Sequence, residues 1–326
     1  MTAVEVEDLC MTYRALIRGS GWKETLSSVF NRQYREVPAV QNASFVLAPG
    51  EIVGFIGPNG AGKTTTMKIL SGLLHATSGQ ARVLGYSPWQ RRSEFLRQIA
   101  FIRGSQPVGG SQELTVLDTL QYQRLLYEVP PAEYRQNLDE LTELLDLKEL
   151  LQRQLRALSL GEKMRAGLAL SLLYRPAVMF LDEPTLGLDV TGASAMRRFV
   201  AEYAEQTAAT VLLTSHYMAD VAALCPRLVL IDKGTVQYDG KLDALAAKLS
   251  PYKLVRLTAP NADEERLRCA GEVIEASNGT WVLRVPRAAV ARITAGLLTD
   301  LDVVDLAVEE APLEVVIDRA YREGIG

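Results

Sequence analysis

One nine-residue run constrains this chain more than any other: Gly57-Pro58-Asn59-Gly60-Ala61-Gly62-Lys63-Thr64-Thr65. It matches G-x-x-x-x-G-K-[ST], the form taken when a strand turns through glycines into a helix. Gly57, Gly60 and Gly62 carry no Cβ, so backbone N–H groups from Asn59 to Thr65 can close on a phosphate. The positive N-terminal end of the following helix points at the same anion. Lys63 can reach the β- and γ-phosphates of a nucleotide, and the Thr64 hydroxyl suits Mg²⁺. A plain Gly-rich turn is the alternative. Against it, Ile52–Ile56 reads as a buried strand and Lys63–Leu73 as a helix, the order the motif requires.

The alternation continues along the chain. Val178–Leu181, Thr210–Leu213 and Leu228–Ile231 are short apolar runs of buried-strand type, while Leu138–Leu145 and Met164–Leu173 have helical periodicity. This predicts an α/β core with a mostly parallel sheet covered on both faces. The strand Val178–Leu181 delivers Asp182 and Glu183 at its end. Asp182 is placed to hold Mg²⁺ through water, and Glu183 to polarise an attacking water as general base. Without a phosphate loop, the pair would read as a solvated strand end.

Composition narrows the classes. The chain has 326 residues, 48% apolar and 23% charged, as in ordinary globular proteins. No apolar run approaches the roughly 18 residues that span a bilayer. The acidic N-terminus lacks the apolar region of a signal peptide. Any membrane association is therefore expected to be peripheral, through a partner. A net charge of −4 argues against nucleic acid as a ligand. Three cysteines (Cys10, Cys225, Cys269) without metal-ligand spacing fit a reducing cytosol.

Two segments stand apart. Residues 14–36 are a long connection between the strands Val4–Leu9 and Ala43–Leu47, with five basic and two acidic residues. Trp22, Leu26, Val29 and Phe30 fall on one helical face, so the segment reads as a basic amphipathic helix. It suits an anionic membrane surface, a partner helix or this chain's own sheet. After Leu249 the pattern changes. Glu272–Ala276, Ser277-Asn278-Gly279 and Trp281–Val285 predict a hairpin, followed by a helix Ala288–Leu298 and a strand Val303–Val308. Residues 250–326 thus read as a small α+β accessory domain after a main domain of 1–249.

Leu158-Ser159-Leu160-Gly161-Glu162 precedes a helix and follows the phosphate loop. Here the chain resembles the ATP-binding cassette (ABC) ATPases, whose signature is Leu-Ser-Gly-Gly-Gln. Leu160 and Glu162 depart from it. Ser159 and the Gly161 backbone keep the phosphate-contacting groups at a helix N-terminus; alone, the segment would be a helix cap. Further motifs fall in the family's order. Asp189, in Gly187-Leu188-Asp189, sits in the loop that communicates across the dimer. His216 sits at the position of the switch histidine that senses the γ-phosphate, and Tyr13 at that of the adenine-stacking aromatic. Gln106 precedes Leu114-Thr115-Val116 as the glutamine-loop residue linking Mg²⁺ and water, with Gln112 as its rival. His75 has no such context.

The resemblance implies a P-loop RecA-like core with antiparallel β and helical subdomains, the latter over residues 115–175. It also implies two ATPs with Mg²⁺ (held through Thr64, Gln106 and Asp182) sandwiched in a homodimer or a dimer with a paralogous ABC ATPase. Ser159, Gly161 and Glu162 of one protomer would face the nucleotide of the other. The basic insertion, Leu-Ser-Leu-Gly and the tail Val308-Glu309-Glu310-Ala311-Pro312-Leu313-Glu314 are similar to bacterial ABC-2-type exporter ATPases. Those work with a separate transmembrane permease at the cytoplasmic face of the membrane, and include antibiotic and drug systems. The alternatives are an importer ATPase and a soluble cassette acting on ribosomes or nucleic acid.

Overall fold

The computed structural model describes residues 2–16, 34–106 and 108–323. The chain forms two compact units, Met1–Asp239 and Gly240–Gly326.

The first unit is built on a six-stranded sheet. Its strands are β3 (Ile52–Ile56), β5 (Ile99–Arg103), β6 (Val178–Asp182), β7 (Thr210–Thr214), β8 (Arg227–Asp232) and β9 (Thr235–Lys241), in the order β5-β6-β7-β3-β8-β9. The first five run parallel. Every residue of β6 and β7 is buried, as expected for strands covered on both faces. The two-residue turn Lys233-Gly234, both at positive φ, brings β9 back as an antiparallel edge strand.

A second sheet, antiparallel in the order β2-β1-β4, comprises β1 (Val4–Leu16), β2 (Tyr34–Leu47) and β4 (Ser78–Val83). Both β1 and β2 run far beyond the strands expected from the sequence. Arg14 and Leu16 pair with Glu36 and Tyr34, so the two ends of the expected insertion belong to strands. The extension is exposed, so it carries no apolar alternation and is held by backbone pairing. Trp22, Leu26, Val29 and Phe30, which carry the expected amphipathic helix, lie outside the described residues.

Helix α1 (Lys63–Leu70) leaves the phosphate loop, and α2 (Ser93–Leu96) precedes β5. Between β5 and β6 lie α3 (Val116–Leu126), α4 (Pro131–Leu144) and α5 (Leu160–Leu172), the expected helical subdomain. Two of these helices start at capping boxes, Thr115 with Asp118 and Ser159 with Glu162. Helix α6 (Val190–Thr207) connects β6 to β7, and α7 (Met218–Leu224) connects β7 to β8.

The second unit opens with α8 (Leu242–Leu249). It continues through β10 (Tyr252–Thr258), α9 (Glu264–Ala270), β11 (Glu272–Ser277), β12 (Thr280–Pro286), α10 (Val290–Asp300) and β13 (Asp305–Glu310) to α11 (Leu313–Glu323), which packs on α8. The sheet order is β11-β12-β10-β13, with all neighbours antiparallel. This βαββαβ arrangement is the split-βαβ, ferredoxin-like topology. Asn278 and Gly279, at φ 48° and 78°, make the turn read from the sequence. Its core joins Val255 and Leu257 of β10 to Leu283 and Val285 of β12, with Leu267 and Leu297 from the two helices. Leu283→Ala should destabilise this unit by about 2–5 kcal/mol. Denaturant unfolding with amide exchange over β10–β13 reads the change, and unaltered exchange there would contradict it.

Candidate active site

The strand registers assemble the site. Arg103 lies opposite Asp182, and Asp182 opposite Thr214, in one row at the C-terminal ends of β5, β6 and β7. Beside them, β3 runs into the phosphate loop. This is the end of an open α/β sheet where ligands bind.

At the turn into α1, Gly62 has φ 103°, and a Cβ there would lie 2.3 Å from the Ala39 carbonyl oxygen. Only glycine fits. Lys63 is buried, and its Nζ donates to the carbonyls of Gly57 at 2.6 Å and Pro58 at 3.1 Å. Burial lowers the Lys63 pKa from its ordinary value, while Glu183 and Asp182 oppose that shift.

Asp182 is buried and fully engaged. The Thr64 hydroxyl donates to its two carboxylate oxygens at 3.2 and 3.1 Å, and the Thr214 hydroxyl donates to Oδ1 at 2.8 Å. Thr214 also accepts from the Glu183 N–H, at 3.1 Å through its hydroxyl and 3.0 Å through its carbonyl. Glu183 sits at φ 54°, an uncommon conformation for a side-chain-bearing residue, of the kind found at functional sites. Its Oε1 lies 2.9 Å from His216 Nε2. Gly104 makes room for it: a Cβ at Gly104 would lie 1.9 Å from the Glu183 carbonyl oxygen.

Thr64 and Asp182 supply hard oxygen donors of the kind Mg²⁺ takes, and no cluster of three His, Cys, Asp or Glu side chains exists among the described residues to complete a protein cage. Such a site would rely on phosphate oxygens and waters, as Mg²⁺ commonly does. Arg103 Nε is buried without an acceptor among the described residues, 4.0 Å from Asp182 Oδ2.

The other expected residues are distributed as follows. The Tyr13 hydroxyl is 3.3 Å from Thr65 Oγ1, which puts β1 beside the phosphate loop. Gln106 is exposed, three residues past Arg103, whose carbonyl accepts its N–H at 3.1 Å. The Gln112 carbonyl instead accepts the Arg156 N–H, which ties it to the segment before α5. Asp189 caps α6, accepting the Gly192 N–H at 2.8 Å. Ser159 caps α5, and no hydrogen bond or ion pair among the described residues joins Ser159, Gly161 or Glu162 to the phosphate loop. His75 packs edge-on against Trp89, with ring centroids 5.1 Å apart.

The structure adds residues that the sequence did not single out. Thr214 is one, though it lies two positions before His216. Asp220 is another: it is fully buried and accepts from Thr185, Ser215 (2.6 Å) and Arg197 (2.8 Å). This cluster braces the loops carrying Glu183 and His216. Its members come from three stretches of chain, around Thr185, Arg197 and Ser215–Asp220, so no single local pattern marks it.

Residues 40–186 match the family model described as ABC transporter, and residues 251–309 match that of the EvrA-like ABC transporter C-terminal domain. The ABC transporter ATP-binding protein NatA of Bacillus subtilis is 31% identical over 66% of this chain and 87% of its own length. The chain belongs to the ABC transporter ATPases. The linearmycin resistance ATP-binding protein LnrL of B. subtilis is 30% identical over 72% of this ABC ATPase and 74% of its own length. The bacitracin transport ATP-binding protein BcrA of Bacillus licheniformis is 31% identical over 71% and 74%. Among solved structures, an ATP-binding subunit of an ABC transporter superposes with a TM-score of 0.64 at 27% identity, over 82% of this chain and 98% of that one. An ATP-binding cassette dimer bound to ADP and Pi superposes with a TM-score of 0.60 at 21% identity, over 73% and 98%, and shares the fold.

Thr214→Val keeps the side-chain shape of this ABC ATPase but removes the hydroxyl that serves Asp182 and Glu183. ATP hydrolysis should fall about ten-fold or more, at a stability cost of about 1–3 kcal/mol. Steady-state turnover with denaturant unfolding measures both, and an unchanged rate would remove Thr214 from the site.

Proposed function

We propose that this chain is the ATP-hydrolysing subunit of an ABC-2-type membrane exporter. Its cargo would be a drug, an antibiotic or another hydrophobic or amphipathic compound. The observation that carries the catalytic part is the convergence of Lys63, Thr64, Asp182, Glu183 and His216 at one sheet end. The transport part is supported by the likeness to NatA, to a linearmycin resistance protein and to a bacitracin transport protein.

In this reading the loop from Gly57 to Thr65 wraps the triphosphate of ATP with backbone N–H groups, and Tyr13 stands beside it at the adenine end. Lys63 turns from the Gly57 and Pro58 carbonyls to the β- and γ-phosphates. Thr64 and Asp182 would hold Mg²⁺ with Gln106 nearby, and the ion would offset phosphate charge when bound. Glu183 takes a proton from the attacking water, and His216, already at its carboxylate, keeps it oriented. Ser159 and Gly161 act on the nucleotide of a second protomer, with Asp189 at the contact, so closure follows ATP binding through its higher affinity for the closed state. The assembly would lie at the cytoplasmic face of the membrane.

No described helix is long and apolar enough to cross a membrane. In this reading a separate permease provides the path. A cavity of about 490 Å³, lined in part by Val108, Leu114, Tyr122 and Leu170, lies beyond the Gln106 turn. Tyr122, Leu125 and Leu126 stand exposed on α3. An apolar permease helix would cover this surface.

Glu183→Gln should bind ATP normally, lower turnover at least a hundred-fold and accumulate an ATP-bound dimer seen by light scattering. Wild-type turnover would refute the general-base role. Mixing Lys63→Ala with Ser159→Arg chains should restore part of the activity both lack, because a mixed dimer keeps one intact shared site. No recovery despite demonstrated subunit exchange would refute sharing. Affinity capture from membranes should retain a polytopic subunit; a ribosome in its place would refute the transport reading.

A further inference from the structure

Glu162 stands where the family signature has a neutral glutamine, and both of its carboxylate oxygens are in use. Oε2 accepts the Ser159 N–H at 2.7 Å, and Oε1 accepts from Arg153 Nη1 at 2.6 Å. The Ser159 N–H, and after it Arg153, hold the Glu162 carboxyl below its ordinary range against the opposing effect of burial. The group is therefore ionised at neutral pH. A carboxylate in the first turn of a helix suits the helix itself, but it repels any phosphate brought to the same N-terminus. A cation at hydrogen-bond distance offsets that repulsion.

Arg153 does more than pair. Its Nη2 donates to the Ala157 carbonyl at 2.7 Å, so one guanidinium holds both the turn before Ser159 and the helix after it. Its own carbonyl accepts the N–H of Val116, the first residue of α3, at 3.1 Å. Around it, Leu155 N–H donates to Leu114 O at 3.0 Å, Arg156 N–H donates to Gln112 O at 3.1 Å, and Thr115 forms a bridge with Gln154. This short ladder fastens the segment after Gln106 to the segment before Ser159. Arg153 is its only member whose side chain reaches the signature in the described residues.

We propose that Arg153 is a positioning residue for the shared ATP site. It offsets the Glu162 charge so that the Ser159 end of α5 can approach the triphosphate of the opposite protomer. The proposal rests on the shared-site reading above. It predicts that Arg153 becomes dispensable once residue 162 is neutral.

The test measures the ATP concentration for half-maximal dimer formation in full-length chains carrying Glu183→Gln, alongside binding of a fluorescent ATP analogue to the monomer. Arg153→Met should raise the dimerisation midpoint about ten-fold, the effect of leaving the Glu162 charge without its cation, and leave monomer binding unchanged. Arg153→Lys keeps the charge without the fork and should fall between. Adding Glu162→Gln to Arg153→Met should bring the midpoint back to within about three-fold of the parent. A double variant as impaired as Arg153→Met, with melting unchanged, overturns the proposal, because a purely structural arginine is not rescued by neutralising its partner. If Arg153→Met fails to fold, the lysine variant and the double variant carry the test, and a folded double variant that still does not dimerise overturns it. A parent chain that never dimerises with ATP refutes site sharing first, and the role of Arg153 falls with it.

Discussion

A carboxylate withdrawn from water persists only where donors surround it, and Asp182 is such a carboxylate. Its donors arrive from places far apart in sequence: Thr64 from the start of α1, Thr214 from the end of β7, with Arg103 from β5 standing 4.0 Å away. Each is delivered by a parallel strand or the turn that leaves it. The site therefore depends on the register of the sheet. Sliding β6 by one residue against β7 would turn Asp182 to the opposite face and put Leu181 beside Thr214. The fully apolar interiors of β6 and β7, buried on both faces, hold that register through packing.

The strained and crowded positions sit at the same end of the sheet. Glu183 occupies the left-handed region, with its N–H held twice by Thr214 and its carbonyl approached by Gly104. Such a conformation costs on the order of 1–3 kcal/mol and survives because the surroundings over-determine it. The buried Asp220 cluster is part of those surroundings. Arg197, Ser215 and Thr185 satisfy its carboxylate, and Ser215 also receives the Tyr217 N–H, which shapes the turn holding His216. Breaking a buried pair of this kind leaves an uncompensated charge, so the loops are tied to the stability of the core.

The helical subdomain obeys different physics. Two of its helices start at capping boxes, a few backbone hydrogen bonds between 112–117 and 151–156 join the segment after Gln106 to the segment before Ser159, and α5 packs on β5 of the main sheet.

How far the chain could be read from its residues follows from the range of each interaction. The phosphate loop, the Asp182-Glu183 strand end, the Ser159 cap and the Asn278-Gly279 turn were all legible, because each is a rule about a few neighbouring residues: a missing Cβ, a helix N-terminus, a left-handed turn. The α/β class followed from buried apolar runs in the same way. The long arms of β1 and β2 were not legible, since exposed strands carry no apolar period. Nor were Thr214, Arg153 or the Asp220 cluster. A threonine at a strand end or an arginine before a helix is ordinary until the fold brings its partner within about 3 Å. The sequence by itself determined which groups this protein can offer to a nucleotide. Only the tertiary structure decided which of them share a hydrogen bond, because sheet register and the path of the connecting helices are properties of the whole chain.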